Sequence, residues 1–523
     1  MKKAFSGVLT AVLLAGMLTG CGGQQAATGT PSVSQPSSSS GPTQSATPEA
    51  KPVEVKIFAN WSPPEQSEAD KAWAAAVEEA TNTKISFEIP PSANYNERLN
   101  IMLAGGDYAD VILFPDTTAK AFTDSVNNGV IIPVTQYVEK AENLQNYSYD
   151  MSWDALKIKG DDEIYGIPRT TIQRADGFLI RQDWLDAIGF KVPDDNLLTT
   201  DQFTEILTKF TFDDPDGNGK DDTFGWGSSQ DGNGNIWPIL DYPFGVLGWQ
   251  KTNGGKYEYM TAMYSLEDDS YVKALEFTAM LYKKGVIDPN FTSIKSDAAA
   301  ARFKQGITGA WAEFAGWIAT NQADAEKINP NAKLTYINGI KNENGEFKRP
   351  SYGTGLWGCW SVTTAAENPE AVVNIFDYLL SDEGWAITKY GIENVTYTLE
   401  GDRKVATEAF SGFTWGPGSV RRNNDPEFFV KINMQEEYKE PVKKWLDTAI
   451  KGTQSSMDFG YRPAAADKPE LIDYGKQMDQ VRAKIILGEL PSSEWFKAVE
   501  GWYAVGGEEY VQQMNEFIKK SVN

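Results

Sequence analysis

The chain has 523 residues, enough for two or more domains with real cores, and carries 72 acidic against 48 basic side chains for a net charge of −24. Such a surface repels nucleic acid and anionic lipid, which excludes polyanion binding as a bulk property. The absence of any histidine removes Ser-His-Asp and Cys-His hydrolysis, HExxH metalloprotease chemistry and the usual zinc ligands together; of the hydrolytic mechanisms, a pair of carboxylates acting on a glycosidic bond survives.

In chain order, "MKKAFSGVLTAVLLAGMLTGC" sets Lys2 and Lys3 before an apolar run too short for a comfortable membrane span. It reads as an export signal over 1–20. Leu18, Thr19, Gly20 and Cys21 look like a bacterial lipobox, so Cys21 is expected to carry lipid and become the mature N-terminus. Residues 21–52 are rich in Ser, Thr, Pro, Gln and Gly, cannot bury a core, and read as a disordered tether. The predicted location is the outer face of a cell membrane, or the periplasm. With Cys21 lipidated, Cys359 is unpaired and no disulfide framework supports the fold.

From Val53 the pattern alternates. "VEVKIFAN" predicts a buried strand, and "EADKAWAAAVEEATN" a helix with Trp73, Val77 and Ala80 on one side. "KISFEIP" predicts a second strand, "YNERLNIMLAGG" a short helix stopped by glycines, and "ADVILF" a third strand. Strands alternating with helices imply a parallel sheet covered on both faces, an α/β fold.

"DPDGNGKDDTFG" places oxygen ligands at alternate positions, as a tight loop around a hard cation does. Asp214, Asp216 and Asn218 fill three places, Gly219 allows the turn, Lys220 offers its carbonyl, and Asp222 closes the ring. The opening is similar to an EF-hand loop. Gly225 stands where the bidentate Glu would be, and only one good helix flanks the loop, which argues against a helix-loop-helix sensor. The plain alternative is a solvated acidic turn, since Asp, Asn and Gly favour turns anyway.

Across nearly the whole mature chain, the segment order resembles the extracellular solute-binding proteins of the carbohydrate-uptake class, the receptor components of ABC transporters. The resemblance is carried by "LAGGDYADVILF", by "YGIPR" from Tyr165, and by "LIRQDWLDAIGFKVPDD" with "TTDQFTEILTKF". "FKQGITGAWAEFAGW" from Phe303 and "SVTTAAENPEAVVNIFDYLLSDEGW" from Ser361 complete it. It implies a two-lobed periplasmic-binding-protein-like fold, with a ligand cleft between lobes and a hinge that the chain crosses several times. Residues 53–168 and 307–360 would form the first lobe, and 169–306 with 361–523 the second. The calcium loop at 214–222 and "YGIENVTYTLEGDRKV" look most like relatives of the alginate- and pectin-oligosaccharide receptors. In those relatives a structural Ca2+ stiffens the second lobe away from the sugar. Thr223 departs from their pattern, which has Glu there; its hydroxyl, a water or a bidentate Asp222 would have to replace that ligand.

The function the resemblance implies is a lipid-anchored monomeric receptor, not an enzyme, that closes on an oligosaccharide and hands it to ABC permease subunits. A sugar presents C–H groups that stack on aromatic planes and hydroxyls that need polar partners. Of the 16 tryptophans, Trp61, Trp226, Trp311, Trp317, Trp357 and Trp415 fall where the resemblance puts the cleft, while Trp360 reads as core. Arg169 and Glu313 sit at expected crossovers, and Arg421 with Arg422 would suit a uronate carboxylate. The rival readings are a surface-anchored carbohydrate-active enzyme using a carboxylate pair, and a two-lobed receptor for a non-sugar ligand such as a peptide.

Overall fold

The computed structural model describes residues 51–60, 65–91, 94–158, 161–173, 176–229, 238–350, 354–423 and 425–522. The signal segment, Cys21, most of the tether, and Trp61 lie outside the described residues.

The first strand, Val53–Phe58, pairs in parallel with Thr83–Glu88 on one side and with Val111–Phe114 on the other. Between them run the helices Glu68–Thr81 and Tyr95–Gly105, as the sequence pattern predicts. Ser67 starts the first helix through a capping box, accepting from the Asp70 amide while the Asp70 carboxylate accepts from its own. The Asp70 side chain also accepts from the amides of Thr414 and Trp415, which ties a distant segment to this helix start. Two further strands make the sheet mixed. Leu356–Val362 pairs antiparallel with Val111–Phe114 and with Ile167–Thr170, completing five strands.

A second sheet of four strands runs in the order Leu334–Ile337, Gly177–Arg181, Thr308–Glu313, Phe224–Gly227. Its side chains alternate between two cores. Phe178, Ile180, Ala310, Ala312 and Ile337 join one cluster of buried apolar residues, and Leu179, Trp311, Leu334 and Tyr336 join the other. The helix Thr200–Phe212 is started by a Thr199–Gln202 capping box and packs on the first of these faces through Phe203, Ile206, Leu207 and Phe210.

The expected lobe boundaries need correcting at two places. Thr308–Glu313 does not return to the first sheet: it is held antiparallel to Gly177–Arg181 and parallel to Phe224–Gly227, inside the second. The return is made by Leu356–Val362. Residues 361–419 then stay with the first lobe. The ring of Phe376 stacks on Trp360 at 5.0 Å, and that of Trp415 meets Phe87 edge-on at 4.2 Å. Only from the helix Glu436–Lys451 does the chain belong with the second sheet, where Tyr438 donates to the Leu334 carbonyl and Trp445 lies 5.4 Å from Tyr336. The helices Pro469–Ile486, Glu494–Trp502 and Glu508–Ser521 complete that lobe. The chain thus passes between the sheets three times, after Thr170, after Pro350 and after Ser419. Among the described residues no helix is long and apolar enough to cross a membrane.

Candidate functional site

A cavity of about 220 Å³ lies where these three passages meet. Thr171 and Asp176 come from the first passage, and Arg421 and Phe429 from the third. Trp357 lies at the start of the strand reached by the second, while Glu313 ends the strand Thr308–Glu313 and Phe314 and Trp317 follow it. A slightly larger cavity, about 280 Å³, opens inside the second lobe between residues 252–267 and 500–508. It touches none of the passages, so lobe movement would not open or shut it, and the hinge cavity is the better ligand site.

Four of the residues proposed from sequence meet here: Glu313, Trp317, Trp357 and Arg421. Trp317 is 43 % exposed and Trp357 39 %, and both open onto the same cavity. Their surroundings differ. The guanidinium carbons of Arg169 and Arg421 lie 3.7 and 3.6 Å from the Trp357 ring centroid, so protein already engages its π-faces. Among the described residues, Trp317 has the ammonium of Lys431, 4.8 Å from its ring centroid, as its cationic neighbour. It is the better stacking platform of the two. The Glu313 carboxylate accepts from the Phe314 amide at 2.8 Å, which fixes the chain as it leaves the strand.

Arg169 lies beneath this surface rather than in it. Its side chain is buried, donates from Nε and Nη2 to the Gly418 carbonyl and from Nη1 to that of Trp357, and stacks on the Trp357 ring. Burial pushes its guanidinium down to about 9. It is a clamp that positions Trp357, and the expectation that it contacts ligand directly is corrected.

Three tryptophans proposed as ligand contacts are core. Trp226 is fully buried, edge-on to Phe178 and Phe203 at 5.5 and 5.4 Å. Trp311 points from a central strand into the apolar cluster. Trp415, despite its glycine-rich surroundings, is buried against Phe87 because Asp70 draws its backbone onto the first helix. Trp360 is buried as expected, with Nε1 donating to the Ser419 carbonyl. Arg422 is engaged elsewhere, donating to the Leu380 carbonyl and to Asp382. Sequence reasoning missed Thr171, Asp176, Phe314 and Phe429. The pair "FF" at 428–429, seven residues after Arg421, was the available signal for the last, but only the third passage shows that it reaches the hinge.

The acidic loop lies in the second lobe, between the helix Thr200–Phe212 and the strand Phe224–Gly227. Asp214 adopts φ 47°, with Gly217 and Gly219 at 68° and 75°, and this left-handed backbone curls the loop inward. Asn218 sits at its centre: its amide groups donate to Asp214 at 3.0 Å, Asp216 at 2.8 Å and Asp222 at 3.1 Å. Burial, and then the carboxylates of Asp214 and Asp222, raise the Asp216 carboxyl above its ordinary value. The all-oxygen donor set suits a hard cation. As it stands the loop satisfies itself through Asn218, and among the described residues no three acidic or thiol groups form a ready ion cage. Thr223 is no part of the ring. It is buried and donates to the Phe210 carbonyl at 2.8 Å, which leaves Asp214, Asp216, Asn218, Lys220 and Asp222 as the donors.

Two mixed α/β lobes, joined by three passages around a hinge cavity, define the class as a two-lobed solute receptor. Comparison with known proteins is more particular: the family described as "Bacterial extracellular solute-binding protein" matches residues 61–384, and the chain belongs to it. It is 27 % identical over 487 residues to the lipoprotein LipO of Bacillus subtilis strain 168, covering 89 % of this chain and 92 % of LipO. It is 24 % identical over 463 residues to the polygalacturonan/rhamnogalacturonan-binding protein YtcQ of the same organism, covering 85 % and 87 %. The crystal structure of the alginate-binding protein AlgQ2 without calcium ion superposes with a TM-score of 0.66 at 19 % identity, over 90 % of this chain and 99 % of that one.

Proposed function

We propose that this protein is a receptor that captures an oligosaccharide in the hinge cavity and delivers it, by closure of the lobes, to the permease of an ABC transporter. The observation that carries the reading is the cavity itself, where every passage between the lobes brings at least one side chain to the same wall or opens the strand that does. A ligand seated there touches both lobes only when they are shut, so its binding energy is spent on shifting the population toward the closed form. Exposed Trp317 offers the apolar plane a sugar ring stacks on, with Phe314 and Phe429 closing the apolar wall beneath, and Thr171, Asp176, Glu313 and Arg421 offer hydrogen-bonding groups for hydroxyls. The polygalacturonan/rhamnogalacturonan- and alginate-binding relatives support a carbohydrate over a peptide. No reaction is needed for this task, and the protein acts by binding alone.

Three further parts complete the reading. Cys21 carries lipid and holds the body outside the membrane on the tether 21–52, a position that the lipoprotein LipO supports. The protein works as a monomer. The loop of Asp214, Asp216, Asn218, Lys220 and Asp222 takes Ca2+ as a clip on the second lobe. When bound, the ion would neutralise carboxylates that now crowd one another around Asn218.

Thermal unfolding in the presence of neutral and acidic oligosaccharides tests the central reading. A ligand at a hundred times its Kd adds about 2.7 kcal/mol of stability, and a panel in which no oligosaccharide moves the unfolding temperature would refute a sugar receptor.

A further inference from the structure

Trp357 and Trp317 open onto the same cavity but offer a ligand different parts of the indole, an inference that rests on the reading of this cavity as the ligand site. Trp357 is the exposed residue of a strand otherwise buried from Leu356 to Val362. The pairing of that strand with Ile167–Thr170 slips between Leu356 and Cys359, and Gly358 inside the slip takes φ 96°. An irregularity of this kind re-aims a side chain, and here it turns Trp357 out of the sheet toward the cavity.

What it delivers is not an open ring face. The guanidinium carbons of Arg169 and Arg421 stand 3.7 and 3.6 Å from the ring centroid. At such distances each must lie over the ring, and two on one face would overlap, so they take opposite faces. Both are packed in their own right. Arg169 is buried and donates to the carbonyls of Gly418 and of Trp357 itself. Arg421 also lies 5.3 and 5.2 Å from the ring centroids of Phe428 and Phe429. A sugar could stack on Trp357 only by displacing a packed guanidinium, so the 39 % of the residue left open is its rim. The indole N–H lies on the rim of the ring system, and among the described residues that of Trp357 has no acceptor.

We propose that Trp357 reads the ligand with its edge: the two guanidiniums hold the ring between them, and its N–H donates to a ligand hydroxyl while Trp317 supplies the stacking plane. Edge and face divide the task. Stacking on Trp317 accepts any sugar that presents a C–H face, whereas a fixed N–H requires an acceptor oxygen at one position. A site built to hydrogen-bond one hydroxyl rejects an analogue that lacks it, which makes Trp357 the specificity-determining tryptophan of the two.

The test uses the full-length protein labelled with 15N-tryptophan, which gives one indole N–H signal for each of the 16 tryptophans. The Trp357 signal is the one missing from Trp357→Phe, and Trp357→Tyr supplies the assignment if that variant does not fold. Kestose, maltotriose and trigalacturonate are titrated in turn, and the signals are read at saturation with each sugar that binds. The expected result is a Trp357 N–H that moves downfield and exchanges with water at least about tenfold more slowly in the complex. Trp357→Phe, which keeps a ring between the guanidiniums and removes the donor, should weaken the same ligand at least about threefold, the loss of one neutral hydrogen bond. A Trp357 signal that a bound sugar neither moves nor protects overturns the edge reading, whatever the affinity of the variant, and leaves the receptor reading intact. If no oligosaccharide binds, the receptor reading fails and the edge reading fails with it.

Discussion

Two tryptophans of the same chain separate ligand contact from core packing. Trp317 is 43 % exposed at the cavity, and Trp226 is 0 % exposed between Phe178 and Phe203. A tryptophan side chain presents up to ~250 Å² and apolar burial is worth ~25 cal/mol per Å², so the open part of Trp317 can contribute at most ~2.5 kcal/mol to a stacked ligand. A sugar that covers one face takes about half of that and one that also covers the edge approaches all of it, so the expected loss in Trp317→Ala is about 1.4–2.5 kcal/mol, or roughly ten- to sixty-fold in Kd. It should destabilise less than a core truncation does, because only the covered part of the ring and the Lys431 contact are lost and no enclosed cavity is left behind. Trp226→Ala reverses the pattern. Emptying a filled core site costs about 3–5 kcal/mol, which lowers the unfolding temperature by roughly 6–20 °C for a lobe of 150–250 residues. Its affinity, measured where the variant is still folded, should stay near wild type. Calorimetric titration and thermal unfolding of both variants decide the matter. If Trp317→Ala destabilises as much as Trp226→Ala and leaves affinity unchanged, the hinge cavity is not where sugar stacks.

Chelation with EDTA should lower the unfolding temperature, and Asp216→Ala should abolish that sensitivity while changing sugar affinity by less than about tenfold; loss of sugar binding on chelation with stability unchanged would place the ion in the ligand site. Burial pushes the Cys359 thiol up to about 12, so at pH 8 it should resist maleimide in the native protein and react once denaturant opens the first lobe; rapid native labelling would contradict the buried strand Leu356–Val362. Gly358 has φ 96°, and a Cβ there would stand 2.5 Å from the Phe114 carbonyl, so Gly358→Ala should leave little soluble protein or a sharply lowered unfolding temperature; a well-folded variant would contradict the close approach of this strand to Val111–Phe114.

Local pattern carried the first 60 or so described residues almost without error, because strands and helices that bury one face announce themselves by period and by their stops, as Gly105 and Gly106 do. What local pattern could not reveal was partnership. The strand Thr308–Glu313 looks the same whichever sheet receives it, and its paired residues lie 84 to 136 positions away. The same limit explains the tryptophans. Glycine and proline around Trp415 suggest an open loop, yet one buried carboxylate on a helix 345 residues earlier folds that loop onto the first lobe. Trp317 was singled out through the resemblance, which put its segment at the cleft, and the structure places it half-open at the hinge cavity although its strand joins the second sheet. Arg169 was rightly placed near the hinge and wrongly turned, since sequence records a guanidinium but not whether carbonyls will enclose it.

Calorimetric titration of the full-length protein with neutral and uronate oligosaccharides, run in parallel on Trp317→Ala, tests the receptor reading most directly. Saturable binding of at least one oligosaccharide with one site per chain, weakened about ten- to sixty-fold in the variant, is the result the hinge cavity predicts. Binding that Trp317→Ala leaves untouched, or no binding of any oligosaccharide, would contradict it.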